Sequence, residues 1–305
     1  MTTAIEARAA ELRAARSPFV LAVVVRAERP TSASPGDRAL VLADGTMEGF
    51  VGGSCAETTV RTQGLRQLAA GESTLLRITP GGTADADAPG LTVAGNACLS
   101  GGTLDVFLEV VMPPPLVQVV GDTPIARALA AVGTAAGYET SLVPGPGPVA
   151  RDALAVVVAS HGHGEPQMLA AAVEAGVPYV ALVASPKRGA AVLAELGLPA
   201  GRVKTPAGLD LGAHTPGDIA VSILAEIVAA RVKEGPLPNA QALGRGPSFT
   251  RVGPEAAEVA VDPVCGMEVA VTPAALSLAH AGRTWYFCAD GCRRAFAADP
   301  ARWSG

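Results

Sequence analysis

The sequence predicts an α/β protein in three parts, and three observations predict it. Strand-like apolar runs alternate with helix-like stretches through most of the 305 residues. Two breaks rich in proline and glycine interrupt that alternation. Three of the five cysteines fall together late in the chain, beside Trp285-Tyr286-Phe287, although only 4% of the residues are aromatic.

The first break is Pro113-Pro114-Pro115, which fits neither a helix interior nor a central strand. The second runs over 235–260, with Pro236, Pro238, Pro247, Pro254 and several glycines, the composition of a flexible linker. The expected parts are a mixed α/β front domain (1–112), a parallel-sheet domain (116–234), the linker, and a small tail (261–305) that folds apart from the rest.

In the front part, residues 3–16 are rich in Ala, Glu, Leu and Arg and favour a helix. Residues 19–26 form a continuous apolar strand. Strands at 38–42 and 47–51 flank Ala43-Asp44-Gly45-Thr46, a hairpin signal. Gly52-Gly53-Ser54-Cys55-Ala56-Glu57 then opens a helix running to about residue 70, with Ser54 and Glu57 spaced as a capping box. Further strands are expected at 75–79 and 104–111. Between them lie a loop rich in Gly, Ala and Asp, and Cys98-Leu99-Ser100-Gly101-Gly102.

Each Gly-Gly turn has a cysteine beside it. Glycines let the backbone approach a ligand, and a helix start favours a phosphate and stabilises a thiolate. Gly52, Gly53, Ser54, Cys55, Glu57, Cys98, Gly101 and Gly102 are therefore candidates for holding an anionic cofactor. The alternative is that the glycines only end strands and Cys55 is a small buried hydrophobe.

The middle part reads strand (116–120), helix (to about 136), strand (138–143), strand (154–159), helix (166–175), strand (179–183), helix (186–196) and a long helix opened by Thr215-Pro216-Gly217-Asp218. Such alternation gives a Rossmann-like sheet covered on both faces. Its dinucleotide fingerprint is incomplete. Gly121, Thr123 and Ala126 stand where three glycines are usual, and Pro144-Gly145 replaces the ribose-binding acid. Ordinary use of NAD is not expected. Gly121, Thr123 and His161, past strand ends, remain candidate ligand contacts.

In the tail, Cys265 and Cys288 are 23 positions apart, and Cys288 and Cys292 are four apart, one helical turn. Clustered thiolates select zinc or copper(I). His280 could complete four ligands or simply belong to a hairpin. A module this small has little core and needs a staple.

The net charge is −5 with no basic run, which argues against nucleic acid as a partner. No run of eighteen apolar residues exists to cross a membrane. The first sixteen residues carry Glu6, Arg8, Glu11, Arg13 and Arg16 and no apolar core, so a cytoplasmic protein is expected.

Pro35-Gly36 with Arg38, Asp44-Gly45, the Gly52–Glu57 string, Cys98 with Gly101-Gly102, and Gly208-Leu209-Asp210-Leu211-Gly212-Ala213 before Thr215-Pro216 and Ile219 carry a resemblance over about 15–232. They are similar to the XdhC/CoxI family, accessory factors of xanthine dehydrogenase and carbon monoxide dehydrogenase. The tail, through Asp262-Pro263-Val264-Cys265-Gly266-Met267, Tyr286-Phe287-Cys288, Cys292 and Phe296, resembles a YHS domain, a TRASH-like treble-clef metal binder.

The resemblance implies a protein that binds the molybdenum cofactor, as molybdopterin or its cytosine dinucleotide form, supports its sulfuration and hands it on. It adds Asp210 to the cofactor candidates. Implied partners are an apo molybdenum hydroxylase large subunit and a cysteine desulfurase, and a homodimer is left open. The competing class is a nucleotide-dependent oxidoreductase or transferase, against which the missing acidic residue counts. A third reading makes the tail a metal sensor.

Overall fold

The computed structural model describes residues 2–80, 88–96, 102–197, 201–232 and 257–303. They fall into two compact units, one of Met1–Pro113 with Gly253–Gly305, the other of Pro114–Val252.

The first unit opens with α1 (Thr2–Ala14), β1 (Phe19–Glu28), the hairpin β2 (Arg38–Leu42) and β3 (Met47–Gly49), and α2 (Ser54–Ala70). β4 (Thr74–Pro80), β5 (Leu91–Asn96) and β6 (Thr103–Val111) complete a six-stranded sheet in the order β3-β2-β1-β6-β4-β5. Side chains alternate along each strand, so one sequence supplies both faces. Phe19 and Leu40 pack on Ile5, Ala9 and Leu12 of α1, while Val20, Ala22, Ala39 and Val41 share a core with Ala56, Val60 and Leu68 of α2. β5 lies in the stretch expected to be loop. It pairs in parallel along β4, from Leu75 with Leu91 to Pro80 with Asn96.

The second unit alternates β7 (Leu116–Val120), α3 (Pro124–Ala135), β8 (Glu139–Val143), β9 (Ala153–Val158), α4 (Glu165–Glu174), β10 (Tyr179–Leu182), α5 (Pro186–Leu196) and α6 (Pro216–Val232). All four strands are parallel, in the order β10-β9-β7-β8. β7, β9 and β10 are buried along their whole length, as a sheet covered on both faces requires. α3 and α6 cover one face, α4 and α5 the other. No described helix is long and apolar enough to cross a membrane.

The tail comprises β11 (Val259–Val261), β12 (Glu268–Ala270), the hairpin β13 (Leu276–His280) and β14 (Arg283–Phe287), α7 (Asp290–Ala298) and α8 (Pro300–Trp303). Phe296 is fully buried against Trp285 and Phe287, at ring distances of 5.1 and 5.3 Å. Contrary to the expectation of an independent module, the tail is packed on the front domain. Ala270 belongs to the same core cluster as the sheet and α2, and a methyl group added at Gly45 would meet Thr272 at 2.5 Å. Most of the expected linker lies outside the described residues, and β11 begins inside its expected range.

Candidate functional site

α2 begins directly after the Gly-Gly turn. Gly52 is buried, and exposed Gly53 is the N-cap, with no side-chain cap bond. The expected Ser54 capping box does not form. Ser54 is already helical, and the Glu57 N–H it would bind is donated to the Gly53 carbonyl at 3.0 Å.

Cys55, Thr58, Thr62 and Arg66 follow at helical spacing and form one stripe of α2. The tail sits along it. The Thr58 hydroxyl donates to the Cys288 carbonyl at 2.7 Å, the Ala270 N–H donates to Thr62 Oγ1 at 3.1 Å, and Arg66 pairs with Glu268 at 2.7 Å. At the head of the stripe, Cys55 packs against the cluster that contains Cys265, Cys288 and Cys292.

Three places bring the tail thiols together: the tight turn between β11 and β12 carries Cys265, the bend just after β14 carries Cys288, and the first turn of α7 carries Cys292. The Cys265–Cys288 and Cys288–Cys292 sulfur separations are 3.4 and 3.7 Å. A tetrahedral ion with metal–sulfur bonds of about 2.3 Å sets its sulfurs about 3.8 Å apart, so the cluster fits such an ion closely. Asp262, absent from the expected set, is the fourth group within 4.8 Å. It is fully buried and accepts from the Val264 N–H at 2.9 Å and the Cys288 N–H at 2.8 Å, which fixes the turn that aims Cys265. Only its place next to a Pro-Val-Cys turn could have marked it. His280 is not brought to the thiols. It is exposed, with its ring edge-on to Phe296 at 5.9 Å.

The thiols share protons unevenly. The hydrogen bond from Cys288 lowers the pKa of Cys265. Donation to Cys265, then contact with Cys55 and burial, push Cys288 far up. Burial, then the charge of Asp262, push Cys292 up to about 12. Beside a buried carboxylate Cys288 and Cys292 hold their protons until a cation reverses the balance.

The second unit holds a cavity of about 810 Å³ over the carboxyl ends of β9 and β10. His161, Ser185, Arg188 and the loop from Gly208 to Ala213 line it. His161 stands in the left-handed region, with φ of 53°. Ser185 caps α5 by accepting from the Arg188 N–H at 3.4 Å. The Arg188 guanidinium pairs with buried Glu165. Glu226 of α6 accepts from the Tyr179 hydroxyl at 2.7 Å and from the Gly208 N–H at 2.8 Å, which ties down the loop bearing Asp210. A guanidinium, an imidazole and a carboxylate can bind a ligand with both anionic and donor-rich ends.

Gly121 and Thr123 are not part of that lining. At the strand-order switch between β7 and β9 the two loops touch, since a methyl group on Gly121 would meet the Ala159 carbonyl at 2.3 Å. Thr123 caps α3 by accepting from the Ala126 N–H at 3.2 Å. Gly102 also permits a close approach, to the Pro30 carbonyl. Cys98 and Gly101 lie outside the described residues.

The XdhC and CoxI family matches residues 12–79, the XdhC Rossmann domain matches 117–227, and the YHS domain matches 260–305. The first two take in more than half of the chain. The chain belongs to the XdhC and CoxI family and carries a YHS domain. Escherichia coli K12 YqeB, described as uncharacterized, is 27% identical to this family member in an alignment 254 residues long that covers 73% of this chain and 45% of YqeB. The chain thus spans less than half of that relative's length. A Bacillus halodurans structure described as a xanthine dehydrogenase aligns with 76% of this chain and 97% of its own, at 16% identity. Its TM-score of 0.38 is too low to support an argument.

Proposed function

We propose that this XdhC and CoxI family member is a maturation factor for a molybdenum hydroxylase. It binds the molybdenum cofactor, as molybdopterin or its cytosine dinucleotide, supports its sulfuration with sulfur from a cysteine desulfurase, and delivers it to an apo large subunit. Membership of the family supports the coarse role.

The observation that carries cofactor binding is the 810 Å³ cavity lined by the family string Gly208–Ala213. Arg188 suits a phosphate. Asp210 suits the donor-rich edge of an aminopyrimidine ring, and His161 offers a further polar contact at the rim. The cofactor supplies the molybdenum chemistry of the client enzyme, and this chain's residues bind and shield it. The tail thiols Cys265, Cys288 and Cys292 hold a zinc or copper ion.

The test is purification from a molybdenum-replete host with assay of bound pterin. Wild type should carry pterin, and His161→Ala with Asp210→Ala should lower the affinity at least about tenfold, the scale of two lost hydrogen bonds. No bound pterin, together with robust turnover of NAD(P)H, would establish the oxidoreductase reading instead.

A further inference from the structure

We propose that Cys55 of the front domain joins Cys265, Cys288 and Cys292 in one four-sulfur zinc site, so that a single ion clasps the tail to α2 and covers the cysteine of the Gly52–Glu57 string. The inference rests on the reading of the tail as a metal module and extends it to a residue more than 200 positions away in sequence.

The argument starts from the helix. Cys55 heads the stripe whose next members, Thr58 and Thr62, bond to the backbone of Cys288 itself and of Ala270 in β12. The helical period then directs Cys55 toward the tail, and it does pack on the sulfur cluster, with its thiol in hydrogen-bonding reach of Cys288. Thr59 Oγ1 donates to the Cys55 carbonyl at 3.0 Å, which braces that first turn.

Asp262 is the competing fourth ligand, because it lies inside the tightest group and Cys55 does not. Both Asp262 oxygens are committed to backbone N–H groups that shape the turn and position Cys288. An ion would have to share an oxygen that already holds a backbone N–H, and turning Oδ2 away from Cys288 would leave a buried N–H unpaired. Cys55 supplies the donor type the other three already are. Four thiolates make a closed tetrahedral set, which selects zinc as a structural ion over copper(I).

Binding is a proton-for-metal exchange without oxidation. Four S–H bonds release their protons to the buffer as four metal–sulfur bonds form. The start of α2 also favours the negative charge of a four-thiolate site. With the ion in place, Cys55 cannot act in sulfur or cofactor handling. Loss of the ion frees it.

The experiment uses the reduced full-length chain, stripped with a chelator and titrated with cobalt(II) and zinc(II). Sulfur-to-cobalt charge-transfer absorption counts thiolates. Wild type should show a four-thiolate spectrum. Cys55→Ser should lose about a quarter of that intensity, as one of four ligands goes. Its zinc affinity should fall at least by the roughly 10–100-fold that loss of an outer-shell partner costs. In wild type, mass-mapped alkylation of Cys55 should be blocked by zinc and restored by the chelator, a readout that holds even if the variant folds poorly.

An unchanged cobalt spectrum and affinity in Cys55→Ser, with binding abolished by Cys288→Ser, would leave a tail-only metal site and overturn this inference alone. Failure of wild type to take up either metal would overturn the metal reading of the tail as well.

Discussion

α2 and α3 follow the same sequence plan, in which a strand runs into a glycine turn and then a helix, yet their starts are built for opposite ends. The start of α3 is closed. Thr123 occupies a free N–H, Pro124 removes another, and Asp122 forms a two-pronged pair with Arg127 at 2.7 and 2.8 Å. Little is left there to offer an anion, and the carboxylate would repel one. The start of α2 has glycine as its cap and no side-chain cap bond, so its first turn is left to Cys55 and to the tail that packs there. A helix start becomes a site when its caps are withheld, and glycine in the preceding turn does not distinguish the two cases.

The strongest way to break the comparison is to remove what holds the tail against α2. Phe296 is the fully buried centre of the tail's aromatic cluster, and Phe296→Ala should cost about 3–5 kcal/mol. Without metal, hydrogen exchange should then reveal β12, α7 and the first turn of α2 opening together, with α3 unaffected. Protection retained in α2 would mean that its start does not depend on the tail. Thr58→Val is the milder version. It removes the donor to the buried Cys288 carbonyl at a cost of about 1–3 kcal/mol, and alkylation of Cys55 should quicken. An unchanged rate would place the anchoring elsewhere on the stripe.

The same contrast explains what the sequence could reveal. The α3 cap was legible because Thr123 and Pro124 act on residues two or three positions away. The alternation of buried strands and helices in the second unit was legible because a doubly covered sheet demands continuous apolar runs, as in β9 (Ala153–Val158). The three tail cysteines were legible by spacing. β5 was not, because Leu91–Asn96 contains Gly and Asn and gains its strand identity from pairing with β4. The Ser54 capping box had the right residues, but the helix begins one residue earlier than that pattern assumes. Asp262 joins the thiols only when the β11–β12 turn meets Cys288, 26 positions on, and the approach of Cys55 to Cys288 arises only when segments more than 200 residues apart fold together; no local pattern encodes either. His280 had suitable chemistry but points to Phe296.

Closing should carry a measurable stability. Thr123→Ala deletes the cap of α3 and should cost about 1 kcal/mol in the unfolding of the second unit. Cobalt binding at the tail should stay the same. A shift in both readouts would mean that the two helix starts are energetically coupled.

The smallest effect belongs to Asp122, which is exposed, and it tests whether the closed start is closed by charge as well as by the cap. Hydrogen bonding to Arg127 is the main cause that lowers the Asp122 pKa below its ordinary 3.8. A carboxyl lowered on folding stabilises the fold above its unfolded value, and that contribution is lost as pH falls through the lower folded value. The Asp122–Arg127 contribution should therefore be present at neutral pH and fade below about pH 4, where the acid binds a proton. It should also shrink in high salt, because both groups face water. Comparing D122N with wild type by denaturant unfolding at pH 7, at pH 3 and at high salt should give a small difference at pH 7 that shrinks in the other two conditions. A difference undiminished both at pH 3 and in high salt would mean that Asp122 acts by packing rather than charge. Phosphate should be titrated onto D122N at the same time. No binding is expected, because Thr123 still occupies the helix start. Binding gained on loss of the carboxylate alone would mean that charge, rather than the cap, is what separates α3 from α2.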